Sequence, residues 1–255
     1  GATAAWMAAV LAALAFTALV AWERRRSEPL LDMRFFHSLP FSAATVVAIC
    51  MFAAMGGFLF LNSLYLQEVR GLSALHAGLG LLPMAVAVTI VSPFSGRLVA
   101  SYGARPSLLV SGAMLALSAL LLTQLQAQTS LVQLLSVYAL FGIGFGMVNA
   151  PVTFAAVSGM PRAQAGVASA VASTSRQIGV SVGVALAGAL AGGPAGAGDA
   201  ASAGFARATH SFWWILAALG VLVMVLGVWS TGARARASTE RIAHLLREPK
   251  SGAGA

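Results

Sequence analysis

Polar and apolar residues in this chain fall into long blocks rather than into alternation. Seven apolar runs, at about 3–22, 41–66, 77–99, 107–125, 131–155, 164–191 and 211–230, are separated by short segments that hold nearly all the charge. A helix rising 1.5 Å per residue needs about 20 apolar residues to cross a hydrocarbon core of roughly 30 Å, and these runs have that length. Membrane β-strands need only about 10 residues and alternate with period two, so a barrel is excluded by the pattern. Helices also satisfy their own backbone hydrogen bonds, which lipid cannot do. The blocks therefore predict an all-α integral membrane protein of seven transmembrane helices.

Composition sharpens this. Of 255 residues, 59% are hydrophobic and 9% charged, where a soluble domain carries about 25% charged residues. The net charge of +8 comes from arginines at the ends of apolar runs and in the tail, without a basic stripe interleaved with aromatics, so no nucleic-acid partner is expected. If the runs alternate across a bilayer, one side receives Arg24, Arg25, Arg26, Arg34, Arg97, Arg105, Arg162, Arg234, Arg236, Arg241, Arg247 and Lys250, and the other only Arg70 and Arg207. The positive-inside rule makes the first side cytoplasmic, with the start of the chain outside and its end inside. The expected address is a plasma membrane, bacterial inner membrane in type.

The segments between runs divide the chain. Residues 1–22 form one helix and 23–40, "ERRRSEPLLDMRFFHSLP", a cytoplasmic linker able to lie on the interface through Leu30, Leu31, Met33, Phe35 and Phe36. Residues 41–230 hold six helices, and 231–255 a cytoplasmic tail. The Gly/Ala-rich stretch 192–210 reads as a flexible loop. The chain opens on Gly1 with no basic region or cleavage signal before its first apolar run, so it reads as the C-terminal part of something longer.

Candidate chemistry is sparse. All seven carboxylates (Glu23, Glu28, Asp32, Glu68, Asp199, Glu240 and Glu248) fall in predicted loops, helix ends or the tail, as do His37, His76, His210 and His244. Proton relays within a membrane usually rest on a buried Asp, Glu or His, and no run supplies one. No nucleophile–base set or metal-ligand spacing occurs in the runs, so no catalytic, cofactor-binding or metal site is expected and the chain is not read as an enzyme. Cys50, the single cysteine, reads as a small buried hydrophobe.

The intramembrane polar residues are Asn62, Thr89, Ser92, Asn149, Thr153, Arg176 and Gln177. Arg176, in "ASTSRQIGVSVG", is the most costly: insertion scales assign about 2.5–3.5 kcal/mol to an arginine at the centre of a span. Its helical neighbours are Ser169, Ala172, Ser173, Gly179, Val180 and Gly183, a small and weakly polar face. That face predicts a side chain turned into the bundle or a wet cavity; snorkelling to headgroups and a purely structural interhelical pair are the alternatives. Arg176, Gln177, Asn62, Asn149 and Ser173 are the candidate cavity residues, with Asn62 and Asn149 read first as able to hydrogen-bond across helices and alternatively as lining a polar patch of the cavity. Gly142, Gly146 and Ala150, and again Gly179, Gly183 and Ala187, recur at four-residue spacing, which lets helices approach closely in lipid. Pro83, Pro93 and Pro151 lie in or near helices, where each removes a hydrogen bond and permits a kink.

Five segments in order, "EPLLDMRFF", "LYLQEVRGLSALHAGLGLLP", "GRLVASYGARP", "GIGFGMVNAPV" and "GVASAVASTSRQIGVSVGVALAG", give the chain a family likeness over about residues 5–230. It resembles the major facilitator superfamily, and within it the C-terminal half of the fourteen-span drug:proton antiporters. The resemblance implies that the first helix belongs to a central inserted pair and that the other six form one transport bundle. It implies a secondary transporter in which two bundles rock about a midplane cavity, exporting lipophilic drug-like compounds against proton entry. Its partners would be the bilayer, a missing N-terminal half, a small lipophilic substrate and protons, with the proton gradient in place of a cofactor. Gly96, Gly103 and Arg105 keep the pattern of the family's gating loop, but Ala100 stands where the N-terminal copy has an acidic residue. The family's proton-coupling carboxylates would lie mainly in the missing half, and Arg176 would be a counter-ion facing an acidic group across the cavity. Two alternatives share the topology: a heptahelical receptor-like protein and a non-transporting membrane scaffold.

Overall fold

A computed structural model describes residues 38–126, 129–157, 165–191 and 199–232, with nine positions between Met7 and Trp22. The chain forms two compact units, Gly1–Phe35 and Phe36–Ala255. In the first, the nine described positions are helical and exposed. Most of the linker 23–40, the loop carrying Arg162 and the tail beyond Gly232 lie outside the described residues.

The second unit is a helical bundle. Its elements are α1 (Leu39–Leu64), α2 (Ala74–Gly80), α3 (Leu82–Tyr102), α4 (Ala104–Leu122), α5 (Leu131–Val157), α6 (Ala165–Ala191) and α7 (Asp199–Trp229). Five helical stretches among the described residues are long and apolar enough to cross a membrane: Leu39–Val69, Ala74–Tyr102, Ala104–Leu122, Leu131–Ala155 and Thr209–Trp229. With 27 residues α6 has the length, but Arg176, Gln177 and its serines and glycines lower its apolarity, and it is not among the five. The outward residues are apolar: Leu82, Val86, Ile90 and Phe94 of α3 are each at least half exposed, in one row at four-residue spacing. A soluble bundle would turn that row inward, whereas lipid accepts it.

Local chemistry sets several boundaries. Pro40 and Pro83 stand in the first turns of α1 and α3, where a missing N–H costs nothing. Pro83 thus opens a helix instead of kinking one. Ser73 caps α2 by accepting from the His76 backbone N–H. α3 and α4 are joined by Gly103 alone, at φ 79°, a conformation that a side chain would strain. α1 ends in a π turn, Tyr65–Val69, whose wider winding turns Tyr65 and Arg70 toward the α4–α5 connection. There the Tyr65 hydroxyl donates to the Gln126 carbonyl at 2.7 Å and Arg70 Nη1 to the Thr129 carbonyl at 2.6 Å.

One stretch departs from expectation. Residues 199–210, read as a flexible loop, are the first turns of α7, and His210 lies inside that helix with its Nε2 accepting from the Trp214 indole N–H at 2.8 Å. The alanines that made the segment look like low-complexity linker are also the best helix formers.

Packing is pairwise: the most extensive contacts join α1 to α6, α3 to α5, and α4 to α7 and α5. Glycines set the approach. A Cβ on Gly183 would run into the Ala53 backbone and one on Gly179 would lie 2.6 Å from the Ile49 carbonyl oxygen, so α6 rests on α1 nearly backbone to backbone. Gly142 meets Met84 and Gly146 meets Val88 on α3, while Gly112 and Gly220 face each other between α4 and α7. Gly96 and Gly103 have open space where a Cβ would stand.

Candidate functional site

At one end of the bundle the start of α1, the Gly103 turn, the end of α5 and the end of α7 enclose an apolar cavity of about 200 Å³, lined by Pro40, Val47, Leu108, Pro151 and Thr231 among others. The helix ends nearest Arg97 and Arg105 therefore share a side of the bundle with the start of α1 and the end of α7.

Arg176 sits eleven residues into α6, about 16 Å along it at 1.5 Å per residue. Long helical side chains lean toward the helix N-terminus, so its guanidinium is carried toward the end of α5. The side chain is half-buried. Nη2 donates to Thr153 Oγ1 on α5 at 3.0 Å, and Cζ lies 5.5 Å from the ring centroid of Phe52 on α1. Its Nε is buried and has no hydrogen-bond partner among the described residues. The junction of α1, α5 and α6 thus holds a cation satisfied by one hydroxyl and one π face, with a donor to spare.

The other candidate cavity residues divide. Asn149 is half-buried one turn before Thr153, bonding its own helix through the Phe145 carbonyl at 3.2 Å. Ser173 and Gln177 are exposed on α6. Asn62 does not line this junction. It is fully buried, its Oδ1 accepts from the Tyr138 hydroxyl at 2.7 Å and its Nδ2 donates to the Phe58 carbonyl at 2.9 Å. Having found both partners, it is a cross-helix tie between α1 and α5. The helix-packing candidates Gly142, Gly146, Gly179 and Gly183 are close contacts between helices, and Arg105, of the segment resembling the gating loop, is exposed in the first turn of α4.

Between Arg176 and Asn62 runs an aromatic file. Phe52 meets Phe145 edge-on at 5.1 Å, Phe145 is stacked 6.5 Å from Phe141, and Phe141 stacks on Phe58 at 3.9 Å. Phe58 then meets Tyr138 edge-on at 5.3 Å. Sequence reading missed this file; phenylalanines at 52, 58, 141 and 145, roughly one or two turns apart on two helices, were its signal. No cluster that could hold a metal occurs among the described residues.

A bundle of helices with an apolar outer surface and a half-buried guanidinium on α6 has the character of a membrane protein. Residues 2–184 match the Major Facilitator Superfamily, and the chain belongs to that family, whose members are transporters and not enzymes. Multidrug resistance protein Stp of Mycobacterium tuberculosis is 37% identical over 174 residues, 68% of this chain and 32% of that protein. The tetracenomycin C resistance and export protein of Streptomyces glaucescens is 32% identical over 168 residues, covering 66% and 31%. Lincomycin resistance protein LmrB of Listeria monocytogenes is 31% identical over 162 residues, covering 63% and 34%. The chain thus spans about a third of the length of the curated relatives it matches.

Proposed function

We propose that this chain is one helical half of a secondary transporter that exports small lipophilic, drug-like compounds in exchange for protons, by alternating access. In this reading residues 41–230 are a six-helix transport bundle, 1–22 a helix of a central inserted pair, and 23–40 and 231–255 the cytoplasmic linker and tail. Seven spans lie in a bacterial plasma membrane, with the start of the chain outside. The partner bundle supplies the proton-coupling carboxylate, and the energy source is the proton gradient, without a cofactor.

The observation that carries the reading is Arg176. A guanidinium partway through a span, with Nε buried and unpartnered, is a costly thing to keep in a protein that only packs. It fits a site whose anionic group comes from across a cavity, and relatives named for drug resistance and export fit the cargo. Efflux of a fluorescent lipophilic substrate from proteoliposomes of the full-length protein tests this. Arg176→Ala is expected to lower transport at least tenfold, or to uncouple it from the proton gradient, with Arg176→Lys intermediate. Wild-type transport and coupling in Arg176→Ala would overturn the role given to Arg176, and absence of any substrate-dependent proton flux in the wild type would overturn the transport reading.

A further inference from the structure

Pro151 stands inside α5. Having no N–H, it leaves the Met147 carbonyl, one turn earlier, without the donor a helix interior normally provides. Two side chains from outside the helix take that place. Ser95 Oγ of α3 lies 2.7 Å from the Met147 carbonyl oxygen and Ser107 Oγ of α4 lies 2.6 Å from it. The two hydroxyls are 2.7 Å apart, and both serines are fully buried.

These serines behave unlike most hydroxyl residues in the bundle. Thr45, Thr89, Ser92, Ser136 and Ser175 each donate to the carbonyl four residues back in their own helix, the usual choice of a hydroxyl in an apolar helix. Ser95 and Ser107 instead converge from the two arms of the hairpin that Gly103 closes. A carbonyl oxygen has two lone pairs and accepts from both. Two hydroxyl protons serve three short contacts, so two arrangements are open. Both serines donate to Met147, or one donates to the other, which donates to Met147. Either serine alone still covers the carbonyl.

We infer that Ser95 and Ser107 are positioning residues: they replace the hydrogen bond that Pro151 removes, and so fix the last turns of α5 against the α3–α4 hairpin. Thr153, two residues beyond Pro151, is the residue that receives Arg176. The pair therefore sets where the Arg176 site forms. This rests on the reading of Arg176 given above only for its effect on transport; the positioning itself does not depend on it.

The test is an epistasis experiment in the full-length protein, stripped of its native cysteines (Cys50→Ser among them) and spin-labelled at Phe154→Cys and Ile178→Cys, two exposed positions on α5 and α6. Distance distributions between the labels are the readout. Ser95→Ala and Ser107→Ala alone are expected to leave the distribution as in the parent. Together they should broaden or shift it, and adding Pro151→Ala should restore it, because that substitution returns a backbone N–H to the Met147 carbonyl. Ser95→Thr with Ser107→Thr, which keeps both hydroxyls, should match the parent. A double alanine variant like the parent, or a triple variant no closer to the parent than the double, overturns the proposal. If the double variant does not fold, recovery of folding by Pro151→Ala supports the proposal and failure to recover overturns it. Efflux is measured alongside. A several-fold loss in the double variant, regained in the triple, links the clamp to transport. The predicted distances with efflux insensitive to Arg176→Ala would leave the clamp standing and remove the role given to Arg176.

Discussion

A guanidinium has five N–H donors, and among the described residues those of Arg176 meet one threonine hydroxyl and one phenyl face, with Nε buried and unpartnered there. That imbalance distinguishes it from Asn62, which has the same low tolerance for lipid but spends its amide on Tyr138 and Phe58. Glycines allow an equally local comparison. A methyl group added at Gly183 would enter the Ala53 backbone, while one added at Gly96 would meet nothing within 4 Å. Gly183→Ala is therefore expected to lower stability by about 1–3 kcal/mol through overpacking, and Gly96→Ala to raise it by about 0.5–1 kcal/mol through helix propensity. Thermal unfolding of the two variants in detergent, side by side, checks the sign of each. Equal effects would mean that the α1–α6 contact is not backbone-close.

At the level of elements, the π turn does what an ordinary helix end would not. It aims Tyr65 and Arg70 at two carbonyls of the α4–α5 connection, and both bonds are made through side chains. Replacing Tyr65 with Phe and Arg70 with Ala should speed amide hydrogen exchange at Gln126 and Thr129 by roughly tenfold, the factor that about 1.4 kcal/mol per opening event implies. Exchange unchanged in the double variant would show that other contacts hold the connection. Most of the helical order was legible beforehand because block hydropathy and arginine placement are one-dimensional signals. The missed features are of another kind. Residues 199–210 misled because alanine is common both to helices and to low-complexity linkers. The Ser95–Ser107–Met147 clamp and the aromatic file are long-range contacts, and a serine 40 residues from Met147 gives no local sign that it serves the carbonyl orphaned by Pro151. Arg176 was singled out by cost alone; its partners Thr153 and Phe52 depended on how three helices meet.

For the whole molecule, the proposed rocking mechanism needs two bodies, and the six-helix bundle is proposed as one of them. The 255-residue chain by itself is accordingly expected not to transport. Vesicles containing only this chain, loaded with substrate and given an inward proton gradient, should show the efflux of empty vesicles, and efflux above that would contradict the two-bundle reading. The outward row on α3 and the half-buried cation on α6 have different demands on their surroundings, hydrocarbon for the first and an acceptor-rich site for the second.

The depth of Arg176 also has an electrical meaning. In the proposed arrangement, with α6 crossing the bilayer, the charge fixed partway along it would sit within the transmembrane field, where a full crossing is worth about 2.3 kcal/mol at 100 mV. A rocking step that carried the guanidinium through about one-fifth of that field would exchange about 0.5 kcal/mol with the membrane potential. On that proposal the bundle would have a voltage sensitivity of its own, set by one side chain and by how far α6 moves along the membrane normal, separate from any charge carried by protons or cargo.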